Sequence, residues 1–525
     1  VSAGDGVVSD PAGAAVWGLV RAAQSENPDR IVLLDADVTV DAALGAALAA
    51  GEPQIAVRGS DFSVPRLARV SEEVPYVTPA FGPEGTVLVS GGGSLGALVA
   101  RHLVDRHGVR SLVLASRRGA DAEGVSDLVT QLTEQGATVS VVACDVSDRD
   151  QVKALLAGVP DEHRLTGVVH TAGAFDAGVI GALTPERLAG VFAPKVDAVR
   201  HLDELTRDLD LAAFVVYSSA SSVFMGAGSA GYAAANAFLD GLMAHRRAAG
   251  LPGLSLAWGT WEHATNMTTH LSTADQTRMN RRASRTGVVG IKPAEGMELF
   301  DAAVTSGRAL LVPVKLDLQG VRAGAAGGGG VPPLLRGLVP AARQQARAAA
   351  ATDGELVRRL SGLDAAEQEA LLLDLVRTQA AAVLGHSGPG GVRADTAFKD
   401  VGFDSLTSVE LRNRLRAATG LKLPATLVFD QPNPLVLARH LRAGLGVTDD
   451  VLARVHARIE DVEALIGALP LDAAMKSSVA LRLQGLVARC NGVLEQGAAA
   501  TVAEQLESAS ADEVLDFIDD ELGLV

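Results

Sequence analysis

A short β-type run at Thr86–Val89 (TVLV) ends in the glycine cluster SGGGSLG, residues 90–96, and passes straight into a helical stretch at Ala97–His107. Few arrangements tolerate this junction. A strand that turns into a helix through glycines brings backbone N–H groups and the positive end of a helix to one point, where a pyrophosphate can be held. The alternation continues downstream. Ser111–Ala115 reads as a strand, Asp121–Gln135 as a helix, Thr138–Ala143 as a strand, Arg149–Ala157 as a helix and Gly167–His170 as a strand. Strands alternating with helices predict a parallel, doubly wound sheet. Upstream, residues 1–75 carry β/α material without a phosphate loop, with helices at Ala14–Ala23 and Asp41–Ala50 around a strand at Arg30–Leu34 (RIVLL). The chain opens in the middle of this pattern, as if taken from something longer.

A glycine run alone is weak evidence for a nucleotide, but three further features accompany it. Gly91, Gly92, Gly93 and Leu95 form the turn; Arg117 and Arg118 close the second strand, where cations meet a 2′-phosphate; Asp145 (ACDVSD) follows the third, at an adenine edge; HTAG, residues 170–173, ends the fourth. Each alone reads equally well as a turn or a surface charge. Together they predict an NADP-type site. Further on, SSASSVFMGAGSAGYAAANAFLD holds Ser219, Tyr232 and, four residues later, Asn236, so that Tyr232 and Asn236 share a helix face. A tyrosine proton donor beside a carbonyl-orienting serine fits such a sheet, and a nearby ammonium lowers the tyrosine pKa. Lys195, in FAPKVDAVRHLDEL, is the candidate.

These residues give residues 1 to about 320 a resemblance to the ketoreductase domain of modular type I polyketide synthases, a relative of the short-chain dehydrogenases with a structural and a catalytic subdomain. The resemblance implies catalytic roles for Tyr232, Ser219, Lys195 and Asn236, with Lys and Asn exchanged relative to ordinary short-chain dehydrogenases. It also implies NADPH, which two departures put in question. The family's loop reads TGGTGxLG, and SGGGSLG is one residue shorter. A deletion in a phosphate turn displaces N–H groups by up to roughly 3 Å. The stereochemical LDD motif falls on Phe175-Asp176-Ala177, and the A-type tryptophan position holds Phe224. This pattern is similar to the C-type, reductase-impaired domains, some of which epimerise an α-methyl group. Three readings stay open: a non-reducing epimerase, an active NADPH-dependent 3-ketoacyl reductase, and an inert scaffold. Trp258 (LAWGTWE) and residues 263–285 resemble the family's substrate-side lid.

RAGAAGGGGVPP, residues 322–333, signals a linker, and residues 340–352 are rich in Ala, Arg and Gln. The pattern then becomes short and helical. In DTAFKDVGFDSLTSVELRNRL, Ser405 opens an amphipathic helix. A serine there is by itself an ordinary N-cap. GFDSL in this setting, over residues 354–445, is similar to the acyl carrier signature. That resemblance implies 4′-phosphopantetheine on Ser405 and a four-helix bundle: Ala365–Leu384, Ser405–Ala418, a short helix near Ala425–Phe429, and Pro434–Arg442.

After Gly446, Leu452, Val455, Ile459, Val462, Ile466 and Leu469 step in a heptad stripe, and Val479, Leu483, Leu486, Cys490 and Val493 make a second. A dimeric bundle is expected, or alternatively packing onto the carrier. The last helix, SADEVLDFIDDELG, resembles the docking helix of polyketide synthase subunits, whose acids meet a basic partner. The expected division is 1–75 partial structural subdomain, 76–321 catalytic subdomain, 322–353 linker, 354–445 carrier, and 446–525 docking and dimerisation segment. A free-standing NADP dehydrogenase fits poorly with the carrier motif. Implied partners are upstream ketosynthase and acyltransferase domains, the N-terminal docking helices of the next subunit, a phosphopantetheinyl transferase and a second copy of the chain. A net charge of −16 argues against nucleic acid, two cysteines (Cys144 and Cys490) against a cysteine metal site, and the lack of a long apolar window against a membrane span. The expected setting is the bacterial cytoplasm.

Overall fold

Asp10 caps the first helix, α1 (Pro11–Glu26), accepting the Gly13 N–H at 2.9 Å, with proline at the first helical position. The structure is a computed structural model. It describes residues 10–70, 80–224, 227–262, 287–325 and 331–339, most of 356–446, and scattered positions between 479 and 487. The chain divides into two units, residues 1–357 with 366–447, and residues 358–365 with 448–525. Nearly all of the second, including the expected heptad and docking helices, lies outside the described residues, as do the expected lid (263–285) and residues 340–352.

After α1 come β1 (Leu33–Ala36), α2 (Val40–Ala49), β2 (Gln54–Arg58) and β3 (Asp61–Ser63). β1 pairs parallel with β2, and β2 antiparallel with β3, over a small core of Ala47, Ile55 and Val57. The first strand begins three residues later than RIVLL suggests. The chain must first reverse out of α1, through Asp29 with its left-handed backbone (φ 57°) and a turn from Asn27 to Arg30.

The large sheet is built from β4 (Thr86–Ser90), β5 (Ser111–Ser116), β6 (Thr138–Ala143), β7 (Leu165–His170), β8 (Ala213–Ser219), β9 (Leu254–Trp258) and β11 (Leu310–Leu311), while β10 (Val288–Val289) pairs apart with β12 (Lys315–Leu316). Its order is β11-β9-β8-β7-β4-β5-β6, every neighbouring pair parallel. The helices α3 (Ser94–His107), α4 (Val125–Glu134), α5 (Arg149–Ala157), α6 (Pro185–Phe192), α7 (Ala198–Thr206), α8 (Ala230–Ala248) and α9 (Pro293–Val304) cover it, and α10 (Leu318–Gly324) follows. This is the doubly wound, Rossmann-like architecture. All five residues of β4 are buried, as a strand covered on both faces requires. Leu103, Leu128, Leu132 and Phe300 form the core on one face; Val152, Leu202, Leu239 and Met243 form it on the other. The chain winds outward from β4 to β6 and returns to β7. The crevice at such a reversal, beyond the C-terminal ends of β4 and β7, is where ligands bind in open α/β sheets.

Helix α1 lies along α8 through small residues. A Cβ on Gly18 would fall 2.4 Å from the Ala233 carbonyl oxygen, and one on Gly241 would fall 2.8 Å from Ala14 Cβ. Neither position accepts a larger side chain without separating the helices. Past α10, residues 331–339 return to the small subdomain. Leu67 N–H bonds the Leu334 carbonyl at 2.8 Å, Arg336 pairs with Glu52 at 2.8 Å, and Leu335 is fully buried among Val321, Val331 and Val339. The glycines and prolines around 322–333 thus flank an apolar return segment.

The carrier region has α11 (Ala365–Leu384), α12 (Ser405–Thr419), α13 (Leu427–Asp430) and α14 (Pro434–Gly444), within a residue or two of the expected helices. Leu372, Val376, Phe398, Leu411, Leu415, Leu437 and Leu441 are among its buried residues. No helix among the described residues is long and apolar enough to cross a membrane.

Candidate functional site

Strand β8 ends at Ser219 and α8 begins at Ala230, bringing Tyr232 into its first turn. Lys195 sits in a π-helical segment, Ala193–Asp197, between α6 and α7. Such single-turn widenings re-aim side chains within a helix. The four expected residues converge. Lys195 is buried, donates to the Tyr217 carbonyl at 2.9 Å, and its Nζ lies 5.6 Å from the centre of the Tyr232 ring. Burial lowers its pKa to about 8, with the charge of Asp240 pulling the other way. Burial pushes the Tyr232 phenol up, and the neighbouring Ser219 and Asn236 side chains pull it back. Asn236 Nδ2 donates to the Tyr232 carbonyl at 2.8 Å, while its buried Oδ1 has no hydrogen-bond partner among the described residues. An orphaned acceptor beside Tyr232 is where a water or a substrate donor fits. Phe175 meets the Tyr232 ring edge-on at 5.2 Å, and Asp176 forms a two-pronged pair with Arg187 at 2.7 and 2.9 Å. Phe224 packs away on the Val321–Leu335 cluster.

Three supporting residues escape sequence reasoning. Asp240, two turns beyond Tyr232, accepts from Ser222 at 2.7 Å and Ser255 at 2.6 Å; burial raises its pKa while these hydroxyls and Arg21 oppose the rise. Arg21 of α1 donates to the Ser222 carbonyl at 2.6 Å and to Gln54 at 2.7 Å. Glu26, the last residue of α1, accepts the N–H groups of Ile180 and Gly228, both at 2.8 Å, and so fixes two loops flanking Tyr232. Glu26, and Arg21 through Ser222, reach partners about 150 to 200 residues away in sequence, beyond any spacing rule.

His170, within HTAG, also supports the site. Its Nε2 faces the Pro194 carbonyl at 3.0 Å, so that nitrogen carries the proton, and Nδ1 accepts from the Ser90 hydroxyl at 2.7 Å. Burial, then the charge of Lys195, lowers its pKa to about 3 from 6.5. The unfolded chain binds a proton between these values and the folded chain does not. Stability is therefore complete above about pH 6.5 and is lost as pH falls toward 3, by about 2 kcal/mol between pH 7 and pH 5. Urea midpoints at the two pH values should differ accordingly, and His170→Asn should flatten the dependence. An equal dependence in both proteins would show that the loss arises elsewhere.

At the nucleotide turn, α3 starts at Ser94, three residues before Ala97, with Gly93 as its cap. Only Gly91, Gly92 and Gly93 separate β4 from the helix. Gly91 has φ 118°, and its Cβ position is taken by Thr171 Oγ1 at 2.4 Å. A Cβ on Gly96 would sit 2.0 Å from the Gly91 carbonyl. Leu95 is in the first helical turn, and Arg117 and Arg118 are exposed just past β5. Helix N-terminus, bare glycine turn and two arginines form a donor set that fits a phosphorylated dinucleotide in kind. Asp145 is differently engaged: its carboxylate accepts the Ser147 N–H at 3.0 Å and hydroxyl at 2.7 Å, which lower its pKa.

In the carrier region, α12 begins on Ser405, but Asp404 caps it. Asp404 Oδ1 accepts the Thr407 N–H at 2.8 Å, and the Thr407 hydroxyl receives the Asp404 N–H at 2.7 Å. The capping explanation for a serine here is thereby removed.

Family models match three stretches: residues 1–67 (polyketide synthase extender module SpnB, Rossmann fold domain), residues 85–263 (KR domain) and residues 374–441 (phosphopantetheine attachment site). Polyketide synthase GfsA of Streptomyces halstedii is 49% identical over 529 residues, covering 99% of this chain and 7% of that protein. Mycoketide-CoA synthase of Mycobacterium tuberculosis is 48% identical over 408 residues, 76% of this chain and 10% of that protein. The chain thus spans a small fraction of these relatives. A solved A1-type ketoreductase is 39% identical with TM-score 0.57, covering 65% of this chain and 71% of that one. A C2-type ketoreductase from a modular polyketide synthase is 33% identical with TM-score 0.56, covering 64% and 73%.

Proposed function

Because this chain belongs to the modular type I polyketide synthases, with a ketoreductase domain and a phosphopantetheine carrier domain, we propose that Ser405 tethers a 3-ketoacyl chain on which Tyr232 and Ser219 perform proton chemistry without efficient hydride transfer. The observation that carries this reading is an assembled Tyr232–Ser219–Lys195 cluster beside a phosphate turn of three glycines. The division at residues 75, 321, 353 and 445 belongs to the same proposal. So do homodimerisation through residues 446–525, transfer to the docking helices of a next subunit, delivery from upstream ketosynthase and acyltransferase domains, and loading by a phosphopantetheinyl transferase.

The carbon between the thioester and the 3-keto group is acidic. When water takes its proton, charge moves to the ketone oxygen. Tyr232 and Ser219 donate hydrogen bonds to that oxygen, and the Lys195 ammonium favours the phenol's share of negative charge. Reprotonation on the opposite face inverts the α-methyl centre, with no net oxidation. Gly91, Gly92, Gly93, Leu95, Arg117, Arg118 and Asp145 are the residues that would hold NADPH, which supplies a hydride to such ketones when bound. The glycine-capped α3 and the exposed Arg117 and Arg118 favour the second reading, an active reductase.

Ser405 loaded with an α-deuterated 2-methyl-3-ketoacyl chain separates the readings by intact mass in the presence of NADPH. Deuterium loss without gain of two hydrogens is expected. A gain of two hydrogens with deuterium retained would establish a reductase. No change in either would leave a scaffold around the carrier.

A further inference from the structure

Helix α12 is anchored beyond its serine by the carbonyl end of α1. The guanidinium of Arg412, 3% exposed, donates to the Glu26 carbonyl. Asn413 Nδ2 donates to the Ser25 carbonyl at 3.3 Å, and Arg416 donates to the Pro28 carbonyl at 2.6 Å and pairs with Asp29. The last carbonyls of a helix lack intrahelical partners and carry the negative end of its dipole, so cationic donors suit them. Asp29 is the only non-glycine residue with a left-handed backbone among the described residues, and its turn carries the two outer acceptors. Glu26 joins this contact to the site. Its carbonyl receives Arg412, while its carboxylate holds Ile180 and Gly228, and Gly228 precedes Tyr232 by four residues.

We infer that the last turn of α1, from Ser25 to Asp29, is the docking site at which this chain's own carrier domain delivers its arm to the Tyr232 pocket, through Arg412, Asn413 and Arg416. The inference rests on the carrier and Tyr232 readings above. Ser405 lies seven residues before Arg412 on the same helix, roughly 10 Å along its axis. Anchoring one end of α12 therefore fixes where the arm begins. Asp29 is largely exposed, so its pair with Arg416 orients the carrier more than it tightens it. The buried Arg412 bond to a backbone carbonyl is the less dispensable contact.

Two measurements on the full chain test this. The first needs no chemistry. In a Cys490→Ser background, Asp29→Cys with Arg416→Cys should form an intramolecular disulfide much faster than Asp29→Cys with Arg393→Cys, Arg393 being an exposed carrier residue with its own pair to Asp395. Equal rates, or disulfides only between two chains, would overturn docking in cis. The second reads the ratio of Tyr232-dependent deuterium loss from the chain on Ser405 to that from the same acyl group as a small soluble thioester. Arg412→Ala and Arg416→Glu should lower the ratio about tenfold or more, as delivery at high effective concentration is lost. Asp29→Arg should restore it in Arg416→Glu. An unchanged ratio would overturn the inference. A fast disulfide with no deuterium loss in any protein would instead retain the docking site and reject the proton chemistry.

Discussion

Incubated with coenzyme A and a phosphopantetheinyl transferase, the wild-type chain will gain one phosphopantetheine, and the Ser405→Ala chain will gain none. The loss should be complete because no neighbouring hydroxyl can substitute. Thr407 and Ser408 are both buried, and Thr407 is committed to its reciprocal bonds with Asp404. Alanine is also a good helix former at the first helical position, so the bundle around Leu411 and Leu415 should persist. Intact mass with peptide mapping checks this. Modification of Ser405→Ala at another residue would remove Ser405 from the role. Asp404→Ala is a milder companion. It removes the cap, costs about 1 kcal/mol of helix stability, and should slow loading without abolishing it.

Tyr232→Phe should slow α-deuterium loss by about 10²–10⁴, the usual share of a positioned acid–base group. Phenylalanine keeps the edge-on contact with Phe175 and the packing of α8, so a fall in rate would report the hydroxyl rather than the fold. The pH profile adds a second signature. Lys195 is charged below about pH 8 and neutral above it. Its support for charge on the phenol is present below that value and fades above it, so the Tyr232-dependent rate should decline as pH rises through 8. Lys195→Met should be slow throughout and lack that decline. A Tyr232→Phe rate equal to wild type would refute the proton chemistry proposed for this pocket.

What the sequence discloses here is governed by how local the determining interactions are. Strand β6 and helix α5 have the expected boundaries to the residue, because alternating apolar positions and the Asp148 cap lie within the segments themselves. The carrier helices are equally local. Ser219, Tyr232, Asn236 and Lys195 could be named because three sit in one short motif, and the structure brings the fourth beside them. Glu26, Arg21 and Asp240 could not, since each acts through a partner on another element, and a glutamate at a helix end is an unremarkable letter. The start of α3 is hidden for a similar reason: Ser94 reads as an ordinary turn residue, and only the fold makes Gly93 the cap. Residues 331–339 were hidden by composition, four glycines and two prolines outweighing Leu334 and Leu335, whose partner Leu67 lies far away.

The close packing of α1 on α8 bears on how such a protein can be recombined. The catalytic tyrosine candidate stands on a helix whose outer face is shaped by Gly18 and Ala14 of another subdomain. A chimera joined between residues 26 and 86 would mate α8 with a foreign first helix, and any residue larger than glycine at the Gly18 position would push the pair apart. Residues 331–339 close the same loop from the other side. The smallest exchangeable cassette therefore runs from Asp10 to Val339, and crossover points belong outside it, even though the chemistry occupies only its middle.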